Sequence, residues 1–121
     1  MSHRILIVDD EPNIVISLEY LMKKEGFEIA VATDGEAALR LASEFRPDLI
    51  LLDVMMPKKS GFEVCESLRA DSALAGVKII MLTAKGRETE VTKGLALGAN
   101  AYITKPFSTK DLVAQIKSLL A

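Results

Sequence analysis

One cysteine in a chain of 121 residues leaves no partner for an internal disulfide. That thiol, Cys65, stands three residues after Phe62 on a stretch of helical spacing, where a core position is the ordinary reading. A net charge of −2 lacks the basic excess of a nucleic-acid footprint, so direct nucleic-acid binding is not expected. Apolar runs break well short of the roughly 18 residues that a membrane span needs, so no membrane insertion is expected. The opening MSHRILIVDD reaches two acids after four apolar residues and does not read as a signal peptide. These absences together point to the cytoplasm. No repeat, low-complexity tract or linker divides the chain, so residues 1–121 read as one domain with one core.

What is present is a regular alternation of apolar runs and helix-period segments. Strands are expected at 4–8, 27–32, 48–52, 78–82 and 100–103, rich in Ile, Val and Leu with little polar alternation. Helices are expected between them, at about 12–25, 35–45, 61–70, 87–97 and 109–120. Pro12 suits a first helical turn and Gly26 a C-terminal stop. Thr33 or Asp34 can cap the second helix, and Ser108 with Asp111 has capping-box spacing. Five strand–helix units in succession imply an α/β fold, a parallel sheet with helices on both faces. Such sheets bind ligands beyond the carboxyl ends of their strands, where the winding reverses.

Chemistry-bearing residues collect at those ends. Asp9, Asp10 and Glu11 follow the first strand, and Asp53 follows the third. Thr83 and Ala84 follow the fourth, and Thr104, Lys105 and Pro106 follow the fifth. The second strand ends in Ala32-Thr33 and adds nothing distinctive. Singly, each has an ordinary explanation as a turn, a cap or a solvated lysine. Their joint arrival at four strand ends does not. Carboxylates brought close repel one another and raise each other's pKa unless a cation or an ammonium intervenes. Mg²⁺ suits such a site, because it takes one or two carboxylates, a carbonyl and several waters. Lys105 can supply the ammonium. Carboxylates, a cation site and a lysine are also what phosphoryl chemistry requires.

The segments ILIVDDEP (5–12), DLILLDVMMPKKSGFEV (48–64), IIMLTAKG (79–86) and GANAYITKPF (98–107) carry a resemblance over almost the whole chain. It resembles the receiver domain of bacterial two-component response regulators, the family typified by CheY. The resemblance implies a doubly wound, flavodoxin-like sheet of strand order 2-1-3-4-5. It implies Asp53 as phosphoacceptor, Asp10 as a direct Mg²⁺ ligand, Asp9 acting largely through water, and the Met55 carbonyl as a further ligand. Lys105 would bind the phosphoryl oxygens and Thr83 would move to meet them, with Ala84 small enough to leave the site open. Tyr102 matches the aromatic that follows Thr83, and the Lys105–Pro106 bond is expected to be cis.

The implied partners are a histidine kinase or histidine phosphotransfer protein upstream and an effector protein downstream. The lone histidine, His3, precedes the first strand and does not serve as donor. The implied output surface is the fourth helix, fifth strand and fifth helix. Met55 and Lys85 flank the phosphoryl position and would tune its lifetime, while Pro57 and Gly61 shape the loop that carries Met55. Receivers joined to winged-helix DNA-binding domains usually carry acids where Asn100 and Ala101 stand, and an arginine where Gln115 stands. Those departures favour a monomer or weak dimer, and the end of the chain at Ala121 favours a stand-alone regulator over a receiver cut from a larger one. Two rivals fit less well. An aspartyl-nucleophile phosphatase would have its acids two residues apart, and a flavodoxin-like cofactor binder would have a Ser/Thr/Gly-rich first loop where Asp9-Asp10-Glu11 stands.

Overall fold

Alternation inside the apolar runs decides which face of the sheet each side chain covers. The computed structural model describes residues 3–56, 58–84 and 88–121. Five strands, β1 (Arg4–Val8), β2 (Glu28–Ala32), β3 (Leu49–Asp53), β4 (Lys78–Ala84) and β5 (Ala101–Lys105), pair in parallel in the order β2-β1-β3-β4-β5. Between and after them run α1 (Pro12–Lys24), α2 (Gly35–Phe45), α3 (Gly61–Ala70), α4 (Glu88–Ala96) and α5 (Thr109–Leu120). The doubly wound order expected from the sequence is the one observed.

Two cores result, one on each face. Ile5, Ile7, Leu49, Leu51, Ile80 and Leu82 point to one face and pack with Leu18 and Met22 of α1 and Leu112 and Ile116 of α5. Leu6, Val8, Ile50, Leu52, Ile79 and Met81 point to the other, where α2 supplies Ala38 and Ala42 and α3 supplies Val64, Cys65 and Leu68. The helix α4 lies on this second face, with Gly94 close against Met81 and Phe62. Double coverage explains why β1, β3 and β4 read as hydrocarbon runs rather than alternating strands. The edge strands β2 and β5 are only partly covered. Cys65 is fully buried, and that burial pushes its thiol pKa up, so it is a core thiol.

The boundaries follow local chemistry. Asp34 Oδ1 accepts from Ala37 N at 2.8 Å and caps α2, while Gly26, with φ 87°, follows α1. Ser108 accepts from Asp111 N at 3.3 Å. The two-way capping box falls at Ser60 and Glu63, whose longer side chain reaches back to Ser60 N at 3.3 Å. Three strands run further than the sequence pattern implies. The β3 ladder continues through Asp53, paired with Leu82, and the β4–β5 ladder continues through Thr83–Thr104 and Ala84–Lys105. The polar residues placed after the strands are therefore strand-terminal residues, because backbone pairing is indifferent to where the apolar run stops.

Arg69 at the end of α3 ties three segments on one side of the sheet. Its guanidinium donates to Gly98 O, Ala75 O and Val77 O at 2.9, 2.9 and 2.6 Å. It also donates to Asn100 Oδ1 at 2.9 Å, an atom that accepts in turn from Ile79 N at 2.8 Å. Asn100 thus anchors the start of β4. Arg69→Met keeps the apolar stem but strands these acceptors, and should lower stability by about 2–3 kcal/mol in urea unfolding.

Candidate functional site

The winding reverses between β1 and β3, since α1 leads out to β2 and α2 carries the chain back across β1 to β3. Their carboxyl ends therefore flank a crevice. Asp9 continues the β1 ladder by donating its N–H to Ala32 O at 3.1 Å. Its Oδ1 accepts from Glu11 N at 2.9 Å, a turn that leads into α1. Asp9 is fully buried, Asp53 is 6% exposed, and Asp10 faces solvent. One carboxylate oxygen from each of Asp9, Asp10 and Asp53 lies within 4.8 Å of the others.

Lys105 reaches this group from the edge strand β5, past the end of β4, where its ladder partner Ala84 carries only a methyl group. Its Nζ lies 2.8 Å from Asp9 Oδ2 and 3.2 Å from both Asp53 Oδ1 and Glu11 Oε1. The contact with Asp9 Oδ2 is an ion pair off the hydrogen-bonding directions, so that buried oxygen has a charge beside it but no directed donor among the described residues. Burial drives the Lys105 ammonium toward losing its proton. The close contact and charge of Asp9, the charge of Asp53 and the bond to Glu11 outweigh that and raise its pKa. The pKa of Asp53 is raised too, from 3.8 to about 7, by burial first and by the Asp9 charge second, with Lys105 only partly offsetting them.

Thr83 is 1% exposed, and its Oγ1 has no hydrogen-bond partner among the described residues. A buried hydroxyl left unpaired costs about 1–3 kcal/mol. It stands one residue beyond Leu82, the ladder partner of Asp53. The Lys105–Pro106 peptide is cis. Tyr102 is 43% exposed and lines a groove of about 660 Å³ with Leu95, Ile103, Ala114 and Gln115. Met55 lies in the loop after Asp53 with an exposed side chain, and Pro57 and Lys85 lie outside the described residues.

The donor set is all oxygen, crowded, and under-neutralised by one ammonium. That composition fits a hard divalent cation such as Mg²⁺ and not a soft metal. Sequence reasoning brought Asp9, Asp10, Asp53, Thr83 and Lys105 to one end of the sheet and missed Glu11 as a Lys105 partner. The signal for Glu11 was its place two residues after Asp9, where the turn folds it back.

A flavodoxin-like sheet with an acidic rather than glycine-rich crevice already narrows the class of protein to one that handles a cation, not a bare phosphate. The chain belongs to the family of response regulator receiver domains, whose family model matches residues 5–117. These are the receiver domains of two-component signalling. It is 47% identical over 120 residues to the alkaline phosphatase synthesis transcriptional regulatory protein PhoP of Bacillus subtilis, covering 99% of this chain and 49% of PhoP. Among solved structures it is similar to a response regulator from Chloroflexus aurantiacus, with a TM-score of 0.96, 34% identity, and 99% and 98% of the two chains covered. It is also similar to the receiver domain of the sensor histidine kinase PA1611 from Pseudomonas aeruginosa, with a TM-score of 0.90, 29% identity and 98% of each chain covered. That structure holds a magnesium ion in its active-site cleft. The chain spans about half the length of the curated relative, 49%, which gives the stand-alone expectation no support.

The raised pKa of Asp53 has a consequence for stability. Its folded value of about 7 lies above the unfolded 3.8, so the folded state favours the protonated form. That contribution is complete below about pH 3.8 and is lost as pH rises through about 7. In metal-free buffer Asp53→Asn should match the parent near pH 3.5 and exceed it progressively above, by up to about 4 kcal/mol at pH 8 in denaturant unfolding.

Proposed function

We propose that this chain is a phosphoacceptor, taking a phosphoryl group on Asp53 from a phosphohistidine of a histidine kinase or histidine phosphotransfer protein. The observation that carries this reading is the joint hold of Lys105 on Asp9 and Asp53, 2.8 and 3.2 Å from its Nζ, at the point of the sheet where the winding reverses. An Asp53 oxygen attacks phosphorus, the P–N bond to imidazole breaks, and a P–O bond to the carboxylate forms. Lys105 fixes the orientation of the carboxylate through Oδ1 and, once the acyl phosphate forms, has phosphoryl oxygens as stronger acceptors. Deprotonated Asp53 is the nucleophile, so its supply rises as pH passes about 7 in the absence of a cation.

Mg²⁺ would be held by Asp10, Asp53 and the Met55 carbonyl, with Asp9 through water, and when bound it supplies neutralising charge for the transferring oxygens. The all-oxygen cluster within 4.8 Å supports this, as does the magnesium in the cleft of the PA1611 receiver. The unpartnered Thr83 hydroxyl is the natural donor to a new phosphoryl oxygen. Its movement would carry the loop after β4 and the exposed Tyr102, shifting the population of the α4–β5–α5 surface that an effector protein reads. The match to half of PhoP, named a transcriptional regulatory protein, favours a receiver that governs a transcriptional output over the stand-alone reading. The reaction is transfer from the donor onto the chain's own Asp53 followed by hydrolysis of the acyl phosphate, in which water takes the phosphoryl group as inorganic phosphate and the carboxylate is regenerated.

Incubation with Mg²⁺ and acetyl phosphate should add one phosphoryl mass. The gain should vanish with Asp53→Asn or with EDTA, and Thr83→Ala should keep the mass gain while losing the accompanying amide shifts in α4 and β5. A mass gain that survives Asp53→Asn would falsify the assignment.

A further inference from the structure

The end of β2 and the turn after it carry no chemistry of their own, yet both segments that bear the acidic site rest on them. Asp9 N donates to Ala32 O at 3.1 Å, which ties the post-β1 segment to the last residue of β2. Three residues further on, Gly35 is buried against the loop between β3 and α3. A Cβ placed on Gly35 would lie 2.4 Å from Lys59 Cβ and 2.5 Å from Lys59 O. No side-chain rotation relieves the second contact, because the carbonyl is backbone. Beside it, Lys58 Nζ lies 3.8 Å from Asp34 Oδ2 and 3.6 Å from Glu36 Oε1, and Lys58 itself is held at φ 69°, in the left-handed region.

The other end of this loop is closed just as tightly. Gly61 N donates to Val54 O at 2.8 Å, and a Cβ on Gly61 would lie 2.3 Å from Asp53 O. The loop is thus tied at its base beneath Asp53 and seated near its tip on the β2–α2 turn, with Met55 between the two. Exposed ion pairs such as those of Lys58 contribute little alone. The steric seat at Gly35 is therefore the stronger constraint, and the ion pairs hold the loop down on it.

We infer that the β2–α2 turn, Asp34–Glu36, is the seat that sets the position of the Met55-bearing loop, and that Gly35 is a positioning residue for cation binding at Asp10 and Asp53. The inference rests on the reading of Met55 as a carbonyl ligand. Gly35 touches no ligand; it acts through Lys59 and the loop.

The test is Mg²⁺ affinity, measured by titration calorimetry and by amide shifts in NMR spectra of the whole chain. Gly35→Ala should weaken Mg²⁺ binding by about tenfold, as loss of a supporting contact behind a metal ligand does. Gly76→Ala, where an added Cβ meets nothing within 4 Å, should leave it unchanged. Circular dichroism and the dispersion of the metal-free NMR spectrum should show Gly35→Ala folded before Mg²⁺ is added, which separates weakened binding from a general loss of stability. Should Gly35→Ala fail to fold, the exposed Lys58→Glu decides. It sets three acids together at the seat and should weaken Mg²⁺ binding by about threefold, with recovery in Lys58→Glu/Glu36→Lys. Added negative charge near an acidic site would by its field alone strengthen cation binding, so the sign separates positioning from attraction. Unchanged or tighter binding in Lys58→Glu, or in folded Gly35→Ala, overturns the inference while leaving phosphoacceptance intact. An absence of Mg²⁺ binding by the parent chain overturns both.

Discussion

Carboxylates gathered at the buried end of a sheet repel one another, and the ammonium of Lys105 is what holds them there. It faces Asp9, Asp53 and Glu11 at 2.8–3.2 Å from a side chain that is itself largely covered. One positive charge among four nearby acids still leaves an excess of negative charge. Asp53 accordingly sits at a pKa of about 7, close to the balance between its two protonation states. Both features give the crevice a standing demand for a cation, and the receiver-domain family supplies the context in which that demand makes sense. Thr83 is the complementary imperfection: a buried hydroxyl with nothing to donate to among the described residues, next in line to the ladder partner of Asp53.

These tensions survive because the scaffold around them is stiff. The central strands are covered on both faces by two separate cores, and the ladders extend to Asp53, Ala84 and Lys105. Site residues therefore leave the sheet at its last paired positions rather than from free loops. Loops enter only where backbone must approach closely: beneath Asp53, where Gly61 fits, and against α2, where Gly35 fits. Under the proposed phosphoacceptor reading, a rigid sheet with a few tightly seated turns would let a single new charge at Asp53 be felt as a choice between two packings rather than as a diffuse adjustment.

Much of this was legible in the residues. Uninterrupted apolar runs such as Leu49–Leu52 indicated double coverage. Asp34 and Ser108 announced their caps. The acid pair, Asp53, Thr83 and Lys105 stood out because each closes a hydrocarbon strand. The strand ends were placed too early, since apolar content stops before backbone pairing does. The capping box at Ser60 and Glu63 was legible as Ser-x-x-Glu and was passed over, whereas the Glu11 contact depends on how a turn folds back rather than on a residue type. The end of β2 looked empty for the same reason as the Glu11 contact: its contribution is a carbonyl and the absence of a Cβ.

The sequence by itself determined the fold class, the two-faced coverage of the sheet and the set of groups that could do chemistry, because hydrophobic periodicity and residue type are local properties. Only the tertiary structure decided which of those groups meet. Lys105 and Asp9 are far apart in the chain and adjacent in space because parallel pairing through β3 and β4 brings the β5 end toward the β1 end. It also decided their protonation, since burial and neighbouring charge act through distance in space. And it decided that Gly35, unremarkable as a letter in a turn, presses on the loop that leaves Asp53, because close packing is a property of two surfaces and not of one residue.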